Sequence, residues 1–251
     1  MTTVTGYWRP TSVAAAFELL ERPGAIAMGG GTTINASPRS EPVEVVDLQS
    51  VGLAGIGPAP DGTLVVGATT RLAELFESGH VPAVVREAAR RERPNTLRAQ
   101  ATVGGCIARA DAHSELLAAL LVHNTVVRLG GREGAETLPL ETVLARAPLP
   151  SHRLILSITL RTNGRAASAR TARTPADTAI VAAYARSTSA DGDVDGPALR
   201  LALTGVATTP VVVADLAAVE TLDPPGDFLG SPEYRRSLAA ILLARTVEAL
   251  S

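Results

Sequence analysis

Apolar residues recur at helical spacing over Val13, Ala16, Phe17 and Leu20, which predicts an amphipathic helix near the start of the chain. Thr11 or Ser12 can cap it, and Gly24 ends it. The pattern then shortens to apolar runs at 25–28, 42–48 and 64–66, each read as a strand. Helical spacing returns at 72–77 and from 82 to about 93. Pro82 opens the second of these, and Glu87 and Arg91 form an i, i+4 pair on it. Residues 114–122 are apolar on nearly all faces, which predicts a deeply buried helix. Strands are predicted at 125–129 and 154–160. Beyond about 162 the register changes. Strand-like runs at 180–186 and 199–204 flank the turn-rich stretch Asp191 to Gly196, a hairpin pattern, and a further strand is predicted at 211–214. Ser231, Pro232 and Glu233 open a last helix with an apolar stripe of Leu238, Ile241 and Leu242. No internal repeat is evident.

Length and composition allow a substantial core. The chain has 251 residues, 46% of them apolar, enough for one large domain or two modest ones. A formal charge of −2 gives no bulk electrostatic reason to expect a nucleic-acid or anionic-membrane partner. All 23 positive side chains are arginine, which base composition explains. The lack of lysine excludes a Walker-type phosphate loop and a Schiff-base lysine. A single cysteine, Cys106, excludes an internal disulfide, a four-Cys zinc site and an iron–sulfur cluster held by this chain alone. Met1-Thr2-Thr3-Val4 lacks the basic and apolar regions of a signal peptide, and no run of ~20 apolar residues offers a membrane span. A cytoplasmic protein is the default expectation.

Two glycine-rich stretches carry the candidate chemistry. Gly29-Gly30-Gly31-Thr32-Thr33-Ile34 follows a predicted strand. Without Cβ atoms its backbone can approach a ligand closely, and successive N–H groups can converge on an anion. A tight strand-to-loop turn is the alternative. It is not a Rossmann dinucleotide fingerprint: Ile34 stands where a third glycine is needed, and Pro38 comes too soon for the helix that should follow. Thr102-Val103-Gly104-Gly105 reads as a second loop of the same kind, about seventy positions later. Two such loops could clamp a pyrophosphate from two sides. Other clusters carry less. Asp191 to Gly196 starts like a calcium loop, but Ala202 occupies the position that requires a bidentate Glu, so a hairpin turn is the better reading. Asp111, His113 and Glu115 fit no standard metal spacing, and His80, His113, His123 and His152 are scattered. Cys106 has no evident His partner and reads as a small buried apolar residue.

With these loops the chain resembles the FAD-binding medium subunit of molybdenum hydroxylases of the carbon monoxide dehydrogenase and xanthine dehydrogenase class. That family carries an Ala-Gly-Gly-Thr-Asp-Leu type loop and a Thr-Ile-Gly-Gly-Asn loop, matched here at Gly29 to Ile34 and Thr102 to Cys106. Leu97 to Thr102, Leu64 to Thr70, Arg173 with Asp177, and Ser231 to Arg235 resemble further family motifs in the same order. The resemblance implies an α+β fold: a two-subdomain FAD domain of the vanillyl-alcohol-oxidase/PCMH type over 1–160, with subdomains at about 1–53 and 54–160. A small C-terminal domain with an antiparallel sheet and helices would follow over 161–251. It implies that Gly29, Gly30, Gly31, Thr32, Thr33, Ile34, Thr102, Gly104 and Gly105 cradle the FAD pyrophosphate. Cys106 stands where the family has a cofactor-contacting Asn, Arg109 where it has a small polar residue, and Glu115 where it has an Asp. Ile155 would pack near the adenine or flavin end, and Ala169 falls about where many members have a Lys near the flavin. No acid–base catalytic residue and no metal ligand is assigned. Molybdopterin would lie on a large partner subunit and 2Fe–2S clusters on a small one, with FAD passing electrons to an external acceptor. The alternatives are a stand-alone flavin oxidoreductase of related fold, and a divergent scaffold subunit that has lost FAD.

Overall fold

The computed structural model describes residues 2–36, 41–92, 94–188 and 198–250. Three sheets follow one another along the chain. The first is parallel: β1 (Val4–Trp8), α1 (Val13–Leu20), β2 (Ala25–Met28), a short α2 (Thr32–Ala36) and β3 (Val43–Asp47), with strand order β1-β3-β2. Ser12 is the cap of α1, its Oγ accepting from the Ala15 N–H at 3.2 Å. Ala16 and Leu20 turn inward against Ala25, Val46 and Leu48. The helix stops earlier than the sequence predicts, with Glu21 as its last cap. Gly24, at φ +74°, instead makes the turn into β2. β1 escaped the sequence reading because its side chains are largely exposed, so no apolar period marks it.

The second sheet is antiparallel, in the order β4-β5-β8-β6-β7. Its elements are β4 (Ile56–Pro58), β5 (Thr63–Gly67), α3 (Leu72–Glu77), α4 (Ala83–Glu92), α5 (Asn95–Arg98), α6 (Val103–Arg109), α7 (Glu115–Val122), β6 (Val126–Gly131), β7 (Gly134–Pro139), α8 (Leu140–Ala145) and β8 (Leu154–Arg161). α3, α4 and α7 stand where the sequence placed helices, and the Glu87–Arg91 pair forms at 2.8 Å. β4, β7 and α8 were not predicted.

All eight residues of α7 are buried. A helix taken out of water leaves its terminal N–H and C=O groups without solvent, so both ends need protein partners. At the start, Ser114 Oγ accepts from the Leu117 N–H at 3.1 Å, and Glu92 accepts from the Leu116 N–H at 3.2 Å. At the end, Arg200 Nε donates to the Leu121 carbonyl at 2.7 Å, and Thr125 Oγ1 donates to the Leu120 carbonyl at 2.6 Å.

The third sheet supplies the Arg200 bond at the end of α7. It is antiparallel, in the order β12-β11-β10-β9, from β9 (Arg165–Thr171), β10 (Val181–Ser187), β11 (Leu199–Thr204) and β12 (Val211–Val213). Strand alternation sends Ala182, Tyr184 and Ala202 into the core around α7, and Ala183, Ala185, Leu201 and Leu203 toward α9 (Pro232–Glu248). The predicted Asp191–Gly196 turn lies outside the described residues. Ser231 caps α9 by accepting from the Tyr234 N–H at 3.2 Å. The buried face of that helix is Ala239, Leu242 and Leu243; the predicted stripe is corrected at Ile241, which is 50% exposed. Arg235 is wholly buried on the same face. It donates to the carbonyls of Ile180 and Gly205 at 3.2 and 2.8 Å and pairs with Asp227 at 2.6 Å. The Ser-x-x-Tyr-Arg motif is thus a helix cap followed by a buried pin.

His123, just past α7, is buried with its Nδ1 2.7 Å from the Arg161 carbonyl, so Nδ1 donates. Nε2 has no partner among the described residues. Burial first, and the nearby Arg186 charge, hold the imidazole down at about 4, against 6.5 for an ordinary histidine. The unfolded chain therefore takes up a proton below pH 6.5 that the folded chain refuses until about pH 4. Folding stability from this residue is complete above pH 6.5 and falls by up to about 3 kcal/mol as pH drops to 4. Urea denaturation at pH 7 and pH 5 should show about 2 kcal/mol of that loss in the wild type and a flatter profile in His123→Leu. Equal pH slopes would contradict it.

Candidate functional site

β2 delivers the chain into the Gly29–Gly31 turn, where Gly31 takes φ +72°, and α2 follows at once. The expectation that Pro38 leaves no room for a helix is corrected: one turn forms over Thr32–Ala36 before it. The second glycine stretch is also corrected. It is not an open loop but a helix start. Thr102 caps α6, its Oγ1 accepting from the Gly105 N–H at 3.2 Å, and Gly104 and Gly105 lie in the first turn. The Val103 N–H is bonded to the Thr70 carbonyl at 3.0 Å and the Gly104 N–H to the Ala68 carbonyl at 2.8 Å.

The two stretches touch. A Cβ on Gly30 would overlap the carbonyl of Gln100, and one on Gly29 would lie 2.5 Å from Thr102 Oγ1. A Cβ on Gly104 would lie 2.9 Å from the Ala68 carbonyl oxygen. Each glycine therefore permits a close approach of backbone to neighbour that no other residue allows. Gly30 and Gly104 let the two turns and the end of β5 come together. Gly29 and Gly105 leave room for the Thr102 hydroxyl, at the edge of the space between the two turns.

That space is a cleft of about 210 Å³, lined by Gly29, Gly30, Gly31, Thr32, Thr33 and Ile34 on one wall and by Thr102, Gly105, Cys106 and Arg109 on the other. A second cleft of about 400 Å³ shares Gly29, Thr102 and Gly105 with it and extends past Gly104 to Ile155. Its far wall is Pro148–Ser151 with Arg153, which sequence reasoning missed; the only cue was a proline-rich stretch ahead of a predicted strand. A larger cleft of about 1070 Å³ shares Ile26, Ser151 and Arg153 with the second but contains neither glycine turn, so the two smaller clefts are the better site. Cys106 is buried in α6 at the cleft wall.

Four residues singled out in the sequence lie elsewhere. Glu115 lines neither small cleft. It is buried at the start of α7, where it accepts from Arg170 Nε at 2.9 Å and from the Tyr184 hydroxyl at 2.8 Å, with Arg91 at 3.6 Å. Burial, reinforced by the Glu115 charge, holds the Tyr184 phenol well above its ordinary value. Ala169 packs with the core beneath α9, paired with Ala183 across the third sheet. Arg173 donates to the Phe228 carbonyl at 3.0 Å and stacks over that ring, while Asp177 accepts from the Thr174 N–H at 3.0 Å. Among the described residues no group of three or more His, Cys, Asp or Glu is arranged to hold a metal ion, and no helix is long and apolar enough to cross a membrane.

Residues 2–160 match the family described as the FAD binding domain in molybdopterin dehydrogenase. The chain belongs to that family. It is 31% identical to the Escherichia coli protein YgfM over 95% of this chain and 93% of that one. It is 28% identical to the carbon monoxide dehydrogenase medium chain of Afipia carboxidovorans, over 96% of this chain and 95% of that one. A crystal structure of the Cu,Mo-CO dehydrogenase in its cyanide-inactivated form superposes with a TM-score of 0.84 at 25% identity, covering 100% of this chain and 98% of that chain. Relatives of this molybdopterin-dehydrogenase FAD-binding chain are oxidoreductase subunits. Both glycine turns fall inside the family match, and the C-terminal sheet with α9 falls outside it.

The glycines divide by what a methyl group would meet. Gly30→Ala forces the first turn off Gln100 and should destabilise the chain by about 3 kcal/mol, as overpacking does. Gly105→Ala meets Thr102 Oγ1 at 3.0 Å, but gains helix propensity, and should stay within about 1 kcal/mol of wild type. Urea midpoints measure both, and equal effects would contradict the contact.

Proposed function

We propose that this chain is the FAD-binding electron-transfer subunit of a molybdopterin-dependent dehydrogenase. The observation that carries this reading is the junction of the two glycine turns, with a cleft between them and a second cleft continuing from it. The residues fit the group. An elongated dinucleotide needs a narrow, side-chain-poor passage for its diphosphate and a roomier space beyond. Gly29–Thr33 faces Thr102 and Gly105 across the narrow part. Beyond it, Ile155, Leu154 and Leu149 offer apolar surface for a ring. We assign the diphosphate to Gly29, Gly30, Gly31, Thr32, Thr33, Thr102 and Gly105, with Ile34, Cys106 and Arg109 completing the wall, and the FAD domain to residues 1–160.

When bound, FAD supplies the ability to store two electrons and release them to an acceptor. The chain's own part is to hold and orient it. The N–H groups of the first turn and the threonine hydroxyls would serve as donors to the phosphates. The long match to the carbon monoxide dehydrogenase medium chain favours a complex over a stand-alone oxidoreductase. In that complex a large partner subunit carries the molybdopterin and a small one the 2Fe–2S clusters that feed electrons to this chain. Glu115 is held by Arg170 and Tyr184, so its role here is to secure the third sheet to α7.

The purified chain should take up FAD, quenching flavin fluorescence in a saturable titration. At a hundredfold excess of FAD over Kd it should gain about 2.7 kcal/mol of stability. A chain whose melting temperature and fluorescence ignore FAD, alone and with both partners added, contradicts the proposal.

A further inference from the structure

A cleft that holds a diphosphate must offer donors or a cation to its oxygens. On the α6 wall the backbone offers little. The N–H groups of Val103, Gly104 and Gly105 are already bonded to Thr70, Ala68 and the Thr102 hydroxyl, and that of Cys106 to the Thr102 carbonyl at 3.0 Å. Charge on this wall must therefore come from a side chain. Among the described residues lining this cleft, Arg109 is the charged one. It lies in the last turn of α6 and is 38% exposed, with its guanidinium 3.0 Å from Asp111. Ala110 between them takes the left-handed conformation, at φ +50°, which ends the helix and starts the turn that carries Asp111.

We infer that Arg109 is the cation that binds the diphosphate, giving up its pair with Asp111 to do so. The inference rests on the FAD reading above and assigns a task within it. A guanidinium can donate two parallel N–H bonds to phosphate oxygens, which backbone N–H groups already bonded within the protein cannot. Its pair with Asp111 is solvent-exposed and so weak enough to be exchanged. Asp111 limits where the arginine points and also competes for it.

The test is FAD affinity of the full chain, followed by flavin fluorescence across a salt series, for wild type, Arg109→Gln and Asp111→Asn, with melting curves to confirm folding. Arg109→Gln should weaken FAD binding about tenfold and make it less sensitive to salt, because one screened charge pair is gone. Asp111→Asn should bind FAD at least as tightly as wild type. Arg109→Gln with wild-type affinity and salt sensitivity overturns the inference and leaves the FAD reading standing. A wild-type chain that takes up no FAD overturns both.

Discussion

The backbone of Gly30 lies against the carbonyl of Gln100, and the geometry of the cleft follows from that contact. It brings the end of β2, in the first sheet, onto the segment that leads into α6, in the second. Any side chain at position 30 would separate them. Thr102 then does two things at one point: it caps α6 and places its hydroxyl where Gly29 and Gly105 leave room. Two families of glycine follow from this. Gly30 and Gly104 are needed where backbone meets backbone, and Gly29 and Gly105 where backbone meets the Thr102 side chain.

The second constraint is a helix with no water around it. α7 buries all its residues, and its ends are satisfied by groups from α4 and from the third sheet. Arg170 and Tyr184 hold Glu115 at its start, and Arg200 holds the Leu121 carbonyl near its end. A lost partner at either end would leave a buried polar group alone, which costs roughly 1–3 kcal/mol. The third sheet is thereby fastened to the core that also supports α6. Although the C-terminal sheet lies outside the family match, it shares a core with the region that contains the cleft.

Strong periodic signals were legible in the sequence. α3, α7 and α9 carry helical spacing with a cap or an apolar face, and β5, β8, β10 and β11 are apolar strands with buried faces. β1 and β7 were not legible because both are largely exposed, so neither alternates cleanly. The glycine turns were legible as special backbone but not in their form. A threonine followed by two glycines looks like a loop, because glycine is a poor helix former. Here tertiary contact with Ala68 overrides that propensity and makes it a helix start. Glu115 illustrates the opposite limit: it stands where the resembled family has an Asp, which invited a role in the site, whereas its partners Arg170 and Tyr184 come from distant strands that spacing alone does not bring together.

The central claim is that an FAD diphosphate lies between the two joined turns. Hydrogen exchange of backbone amides, followed peptide by peptide with and without FAD, tests it most directly. The account predicts marked slowing over residues 29–34, which line the cleft, and little change over the third-sheet strands at 165–171, 181–187, 199–204 and 211–213. FAD that binds while exchange at 29–34 stays as it was would contradict it.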